Sequence, residues 1–201
     1  HLAKTRPTLV CTLEVIPDKD WERAWMDDFK PQRFGKRLWI CPTWATPPEP
    51  DAVNLMLDPG LAFGTGSHAT TSLCLTWLEA ADLKDKSVID YGCGSGILSL
   101  AALKLGAQTV HAVDIDNQAL QATHNNAQSN HINDSQLTIS LPDAAQNPVD
   151  LIIANILLAP LTSLGERFTQ LLKPEGLLVV SGLLSEQAPM LIKAYEGLFT
   201  A

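Results

Sequence analysis

Apolar and polar positions follow two regimes along the chain. From Thr8 to Ile16 a stretch rich in β-branched residues reads as a strand, ended by Pro17. Asp18 can cap a short helix reaching about Phe29, which sets Trp21, Trp25 and Phe29 on one face at i, i+4 and i+8. Lys30-Pro31 closes it. Phe34 to Cys41 is a further strand candidate, followed by a loop carrying Pro42, Pro47, Pro48 and Pro50. Beyond the loop the pattern becomes a regular alternation. A helix is expected from Ser67 to Ala80 with Ser67 as N-cap, a strand from Ser87 to Tyr91, and an Ala/Leu-rich helix from Ser95 to Leu105 ended by Gly106. A strand from Thr109 to Ile115, a helix from Asn117 to about Ser129, and strands Leu137 to Leu141 and Val149 to Ile156 come next. The pattern ends with a helix from Leu161 to Leu172, a strand from Leu177 to Ser181 and a helix from Ser185 to about Tyr195.

Strands alternating with longer helices predict an α/β domain whose mostly parallel sheet is covered on both faces. The unbroken apolar run Leu151-Ile152-Ile153-Ala154 suits a strand buried on both sides. With 201 residues the chain holds one domain and a short extension, and no internal repeat or low-complexity tract interrupts it. A 46% hydrophobic content excludes wholesale disorder. The formal charge of −8 argues against a smeared grip on nucleic acid, so no direct nucleic-acid binding is expected, and it suits a basic partner. No apolar run approaches the ~20 residues of a bilayer-spanning helix. Cys11, Cys41, Cys74 and Cys93 stand 30, 33 and 19 positions apart, which is no zinc framework, so no metal is expected and a reducing cytoplasm is the simplest setting. The start at His1, without Met or an apolar leader, reads as a cut or processed fragment.

The sharpest chemical signal is Val88-Ile89-Asp90-Tyr91-Gly92-Cys93-Gly94-Ser95-Gly96-Ile97-Leu98, a strand running through a G-x-G-x-G turn into a helix. Asp114 ends the next strand, 22 positions beyond Gly92, where a carboxylate can accept hydrogen bonds from a ribose diol. An adenosine-bearing ligand at the carboxyl ends of the strands is implied. A dinucleotide site prefers G-x-G-x-x-G, whose third glycine is here Ile97. Asp90, two positions before the first glycine, would repel a pyrophosphate and suit an ammonium group. The pattern therefore favours S-adenosylmethionine over NAD, with Asp90, Gly92, Gly94, Gly96 and Asp114 as its residues.

A second glycine-rich stretch, Leu57 to Thr71, is not a Walker A loop, since no Lys-Ser/Thr pair follows Thr65. Phe63, Gly64 and Thr65 lie where a loop before a helix could close over a cofactor, and Thr71 could donate its hydroxyl to it. His68 is a tempting general base, although a lone loop histidine is more often a surface or capping residue. His111, His124 and His131 read as strand or helix-surface positions. Nothing near Cys93 marks an activated thiolate. Asn155 ends the fourth strand at the crevice where open α/β sheets bind ligands, and its side-chain or backbone oxygen could meet an incoming amine.

Together Leu57 to Thr71, Asp90 to Gly96, Asp114 and Ala154-Asn155-Ile156-Leu157 resemble the bacterial ribosomal protein L11 methyltransferases, the PrmA family. Asp20-Trp21-Glu22-Arg23-Ala24-Trp25, Lys30-Pro31 and Arg37-Leu38-Trp39-Ile40-Cys41-Pro42-Thr43-Trp44 match too. The resemblance implies a Rossmann-like class I fold and S-adenosylmethionine-dependent methylation of lysine and N-terminal amines of a large-subunit ribosomal protein, in the cytoplasm. It places Thr71, Gly92, Asp114 and Asn155 on the cofactor. It also implies that residues 1–17 are the remnant of a recognition domain, 18–33 a helical linker and 34–201 the catalytic domain, lacking the C-terminal antiparallel strands. Oligomeric state stays open. Two rivals are weighed. Methyltransferases acting on adenine or glutamine often carry N-P-P-aromatic where this chain has Asn155-Ile156-Leu157-Leu158. A non-enzymatic binding module would show a decayed glycine turn or a lost ribose acid, and both are intact.

Overall fold

The computed structural model describes residues 29–58 and 68–200. The expected strand from Thr8 and helix from Asp18 lie outside them, apart from Phe29, which is buried. A small sheet comes first: β1 (Gln32–Phe34), β2 (Leu38–Pro42) and β3 (Val53–Leu57), in that order. The single strand expected from Phe34 to Cys41 is instead the antiparallel hairpin β1–β2. Gly35 takes φ +62°, a left-handed turn conformation open to glycine, and Phe34 pairs with Leu38. β3, a five-residue strand that follows the proline-rich loop, pairs parallel to β2 and was not expected.

Helix α1 (Ala69–Ala80) leads into the main sheet. Its N-cap is His68, not Ser67: the imidazole accepts from Thr70 N–H, the job assigned to a serine hydroxyl. Then follow β4 (Ser87–Tyr91), α2 (Ile97–Lys104), β5 (Thr109–Val113), α3 (Asn117–Ser129), β6 (Leu137–Ser140) and β7 (Val149–Asn155). α2 starts two residues later than expected because Gly96 sits at φ +80° as its cap. α3 matches its expected bounds, with Asp116 accepting from Gln118 N–H as N-cap. One helix was expected from Leu161 to Leu172. The chain forms α4 (Leu158–Ser163) and α5 (Gly165–Leu171), broken at Leu164, where Gly165 packs tightly against Leu198 and Tyr195. β8 (Leu172–Ser181) is longer than the strand expected from Leu177, and α6 (Ala188–Ala194) follows a 3-10 turn.

The five main strands run in the order β6-β5-β4-β7-β8 and all their pairings are parallel. The α/β doubly wound expectation therefore holds. β7 shows why its apolar run is continuous. Leu151 and Ile153 enter one core with Leu75, Leu78, Leu98 and Leu100 of α1 and α2. Ile152 and Ala154 enter the other with Leu161, Phe168 and Leu171 of α4 and α5. Each such leucine contributes about 1.5–3 kcal/mol by leaving water. β4 and β5 lead outward in one direction and β7 and β8 in the other, so the strand order reverses beside β4. Open α/β sheets bind ligands at the carboxyl ends beside that point.

Candidate active site

A cavity of about 520 Å³ opens there, within the range of small-molecule sites. Its wall brings together five of the expected residues, Thr71, Gly92, Gly94, Asp114 and Asn155. Tyr91, Cys93, Ile115, Pro142 and Leu157 add apolar surface, and Ile115 and Leu157 stand 84% and 73% exposed at its rim. Phe63, Gly64 and Thr65 lie outside the described residues. His68 caps α1 and does not line the cavity. Cys93 lines it, but burial pushes its thiol pKa up, so it is no thiolate.

The glycine turn folds as it does because two of its residues tolerate no Cβ. At Gly92 (φ +84°) a Cβ would stand 2.3 Å from the Ile156 side chain. At Gly96 (φ +80°) it would stand 3.1 Å from the Thr123 Cα and closer still to that side chain. Gly96 thus serves helix packing and does not line the cavity. The turn's N–H groups are largely spent inside the protein. Gly92 and Cys93 both donate to Val113 O at 2.8 and 3.0 Å, and Gly94 donates to Asp114 Oδ2 at 3.0 Å. A turn with three N–H groups so engaged makes a poor pyrophosphate cradle, which supports the preference against NAD.

Asp114 is held at both oxygens, Oδ2 by Gly94 and Oδ1 by Asp116 N–H at 3.0 Å. A carboxylate has about four acceptor positions, so two remain for a diol. Asp90 was expected near a ligand ammonium group, and its placement differs. It is fully buried, faces α2, and its Oδ2 accepts from Ser99 N–H at 2.9 Å and Ser99 Oγ at 2.6 Å. Positions 88 and 90 of β4 share the α2 face, whereas the cavity lies past the strand's end. Burial pushes the Asp90 pKa up to about 6 against the two Ser99 hydrogen bonds, with the Asp114 charge adding to the rise.

Asn155 closes the site on the β7 side. Its Nδ2 donates to Thr71 Oγ1 at 3.1 Å, while its Oδ1 is buried with no partner among the described residues. The Thr71 hydroxyl, itself buried, accepts that bond and keeps its proton for another acceptor. Among the described residues no cluster of His, Cys, Asp and Glu could hold a metal. Sequence reasoning missed three buried polar residues, Thr123 and Asn126 of α3 and its C-cap Asn130. Their spacing of i, i+3 and i+7 on a helix with few large apolar residues was the available signal.

A 3-2-1-4-5 parallel sheet with a glycine turn after its first strand and an acid after its second is the architecture of a class I methyltransferase. Comparison with known proteins narrows the class. The family described as ribosomal protein L11 methyltransferase (PrmA) matches residues 2–201. A ribosomal protein L11 methyltransferase of Legionella pneumophila (strain Paris) is 75% identical over 200 residues, covering 100% of this chain and 69% of that protein. One from Glaesserella parasuis serovar 5 (strain SH0165) is 56% identical over 188 residues, covering 93% and 64%. The crystal structure of the ribosomal protein L11 methylase from Lactobacillus delbrueckii subsp. bulgaricus superposes with a TM-score of 0.76 at 35% identity, covering 85% of this chain and 89% of that one. The chain belongs to the PrmA family of methyltransferases.

Proposed function

We propose that this chain carries the catalytic site of a protein N-methyltransferase acting on ribosomal protein L11, at lysine and N-terminal amines. The cofactor is S-adenosylmethionine, which supplies, when bound, an electrophilic methyl group on a sulfonium. The residues fit it. Asp114 keeps acceptor capacity for a ribose diol, the Cβ-free Gly92 lines the wall, and Thr71 retains a hydroxyl donor.

The observation that carries the amine reading is the orphaned Asn155 Oδ1, a buried acceptor beside the cavity. An unsatisfied buried acceptor costs about 1–3 kcal/mol, and an amine N–H would relieve it. A neutral amine oriented there has its lone pair free for the methyl group. Holding two reactants aligned can lower a barrier by roughly 7–11 kcal/mol. Deprotonating a free lysine (pKa ~10.4) at pH 7 costs about 4–5 kcal/mol, against about 1 kcal/mol for an α-amine near ~7.8. The α-amine is therefore the easier acceptor, and apolar surroundings such as Leu157 would favour neutral lysine. No described side chain in the cavity wall stands as an obligatory base, so the proton leaves to water before transfer.

The net charge of −8 suits a basic ribosomal substrate. No helix among the described residues is long and apolar enough to cross a membrane. We assign the work to the cytoplasm because the proposed substrate is a ribosomal protein. Residues 1–17 are assigned to the end of a recognition domain, 18–33 to a linker and 34–201 to the catalytic domain. The test is calorimetric titration with S-adenosylmethionine and with NAD, followed by labelled methyl transfer to purified L11 or to ribosomal RNA. Binding of the first cofactor alone and label on L11 are expected. NAD binding, or label on RNA only, overturns the reading.

A further inference from the structure

Helix α3 and its C-cap carry a buried polar stripe. Thr123 is 0%, Asn126 1% and Asn130 5% exposed. Buried amides survive where they replace backbone partners, and these two do so in register. Asn130 Oδ1 accepts from Met56 N–H at 2.9 Å and its Nδ2 donates to Met56 O. Asn126 Oδ1 accepts from Asp58 N–H at 2.9 Å and its Nδ2 donates to Asp58 O at 3.0 Å. Met56 and Asp58, two residues apart, present their backbone to the side of β3 away from β2. Two side-chain amides there stand in for a neighbouring strand on an otherwise open edge.

The two asparagines then differ. The second bond of Asn130 Nδ2 returns to its own helix at Asn126 O, 2.8 Å away. The second bond of Asn126 Nδ2 crosses to Ser95 O of the glycine turn, at 2.9 Å. One turn earlier, Thr123 Oγ1 donates to Gly94 O at 3.1 Å. Two successive carbonyls of the turn are thus held on the α3 side, directly following the peptide whose N–H, that of Gly94, donates to Asp114 at the cavity wall.

We propose that Asn126 is a positioning residue for the cofactor site: one carboxamide fastens the end of β3 and, in the same geometry, sets the glycine turn through Ser95. The inference rests on the S-adenosylmethionine reading above. Asn130 provides the control, since it makes the same two-sided grip on β3 and does not touch the turn.

The experiment compares Asn126→Ala and Asn130→Ala in the 201-residue chain by thermal melting and by calorimetric titration with S-adenosylmethionine, at a temperature where both are folded. Both variants are expected to melt lower by similar amounts. Asn126→Ala is expected to raise the cofactor Kd about 5–10-fold, and Asn130→Ala to leave it within twofold. Equal Kd changes in the two, or none in Asn126→Ala, would overturn the proposal. Should Asn126→Ala fail to fold, Thr123→Val, which removes the hydroxyl on Gly94 O and keeps the side chain's shape, is held to the same contrast. Wild-type protein that does not bind the cofactor sinks the functional reading itself, a result separable from normal wild-type binding with an unaffected variant.

Discussion

The two ends of the main sheet treat polar groups in opposite ways. At the amino end Asp150 receives Ser87 N–H at 2.8 Å, Ser87 Oγ at 2.6 Å and Lys173 Nζ at 2.9 Å. The Ser87 hydrogen bonds, helped by Lys173, hold its carboxyl well below the usual carboxylate range. At the carboxyl end Asn155 Oδ1 is buried without a partner among the described residues and Asp114 keeps acceptor capacity, while Asp90 Oδ1, likewise unpartnered, faces α2 and not the cavity. A cavity of about 510 Å³ also opens beside Asp150, so volume does not separate the two ends. Polar satisfaction does. The amino end is closed on itself, whereas the carboxyl end has acceptors in excess, at a cost in stability of about 1–3 kcal/mol each. Ribose hydroxyls and a substrate amine are both donors, so the excess at Asp114 and Asn155 has the sign this chemistry needs.

The contrast is broken most severely at Asp114. Asp114→Ala removes two charge-assisted acceptor positions worth about 1.5–3 kcal/mol each, so the S-adenosylmethionine Kd should rise by roughly two to four orders of magnitude. Calorimetry checks this, and an unchanged Kd would take Asp114 out of the ribose role.

Asp90 sharpens it next, through pH. Its pKa is about 6 in the folded chain against ~3.9 unfolded, so the folded state holds the extra proton between these values. Unfolding free energy therefore falls as pH rises from about 4 to 6, by up to about 3 kcal/mol. Asp90→Asn keeps an acceptor for Ser99 and removes the titration. Urea melts at pH 4.5 and 7 should show the variant gaining on wild type at the higher pH. Parallel pH profiles would mean that Asp90 is not held in this strained state.

Asn155→Ala follows, with turnover expected to fall about 10–50-fold and the cofactor Kd to move less than threefold, because the orphaned oxygen serves the amine. Single-turnover methyl transfer separates the two quantities. A loss confined to Kd would return Asn155 to the cofactor.

What the sequence revealed follows the same division. Elements driven by local chemistry were legible: α3 because Asp116 caps it, and β7 because both its faces are apolar. β3 was not, since Val53-Asn54-Leu55-Met56-Leu57 is a strand only by pairing with β2 and by the grip of Asn126 and Asn130 on its far edge. Asp114 and Asn155 were legible as crevice residues because they end strands, a position that needs only the order of elements. The placement of Asp90 was not. Whether a carboxylate two residues before a glycine meets a ligand or Ser99 depends on the face of β4 it occupies and on where α2 lies over it.

The smallest expected effect tests the closed end. Asp150→Asn keeps an oxygen for Ser87 and removes the charge facing Lys173. The pair is partly exposed, with side chains 26% and 45% accessible, so solvent screens it and only about 1 kcal/mol should be lost. For a chain of this size that is a drop of about 2–4 °C in Tm at pH 7. A carboxyl held below its unfolded pKa stabilises above about pH 4 and loses that contribution as pH falls through and below it. Wild type and Asp150→Asn should therefore draw together steadily as pH falls below about 4, with the S-adenosylmethionine Kd equal at pH 7. A Tm difference that survives acid would assign the loss to altered hydrogen bonding at Ser87. A changed Kd would mean that the amino end is coupled to the cofactor site, and the two ends of the sheet could no longer be treated as separate.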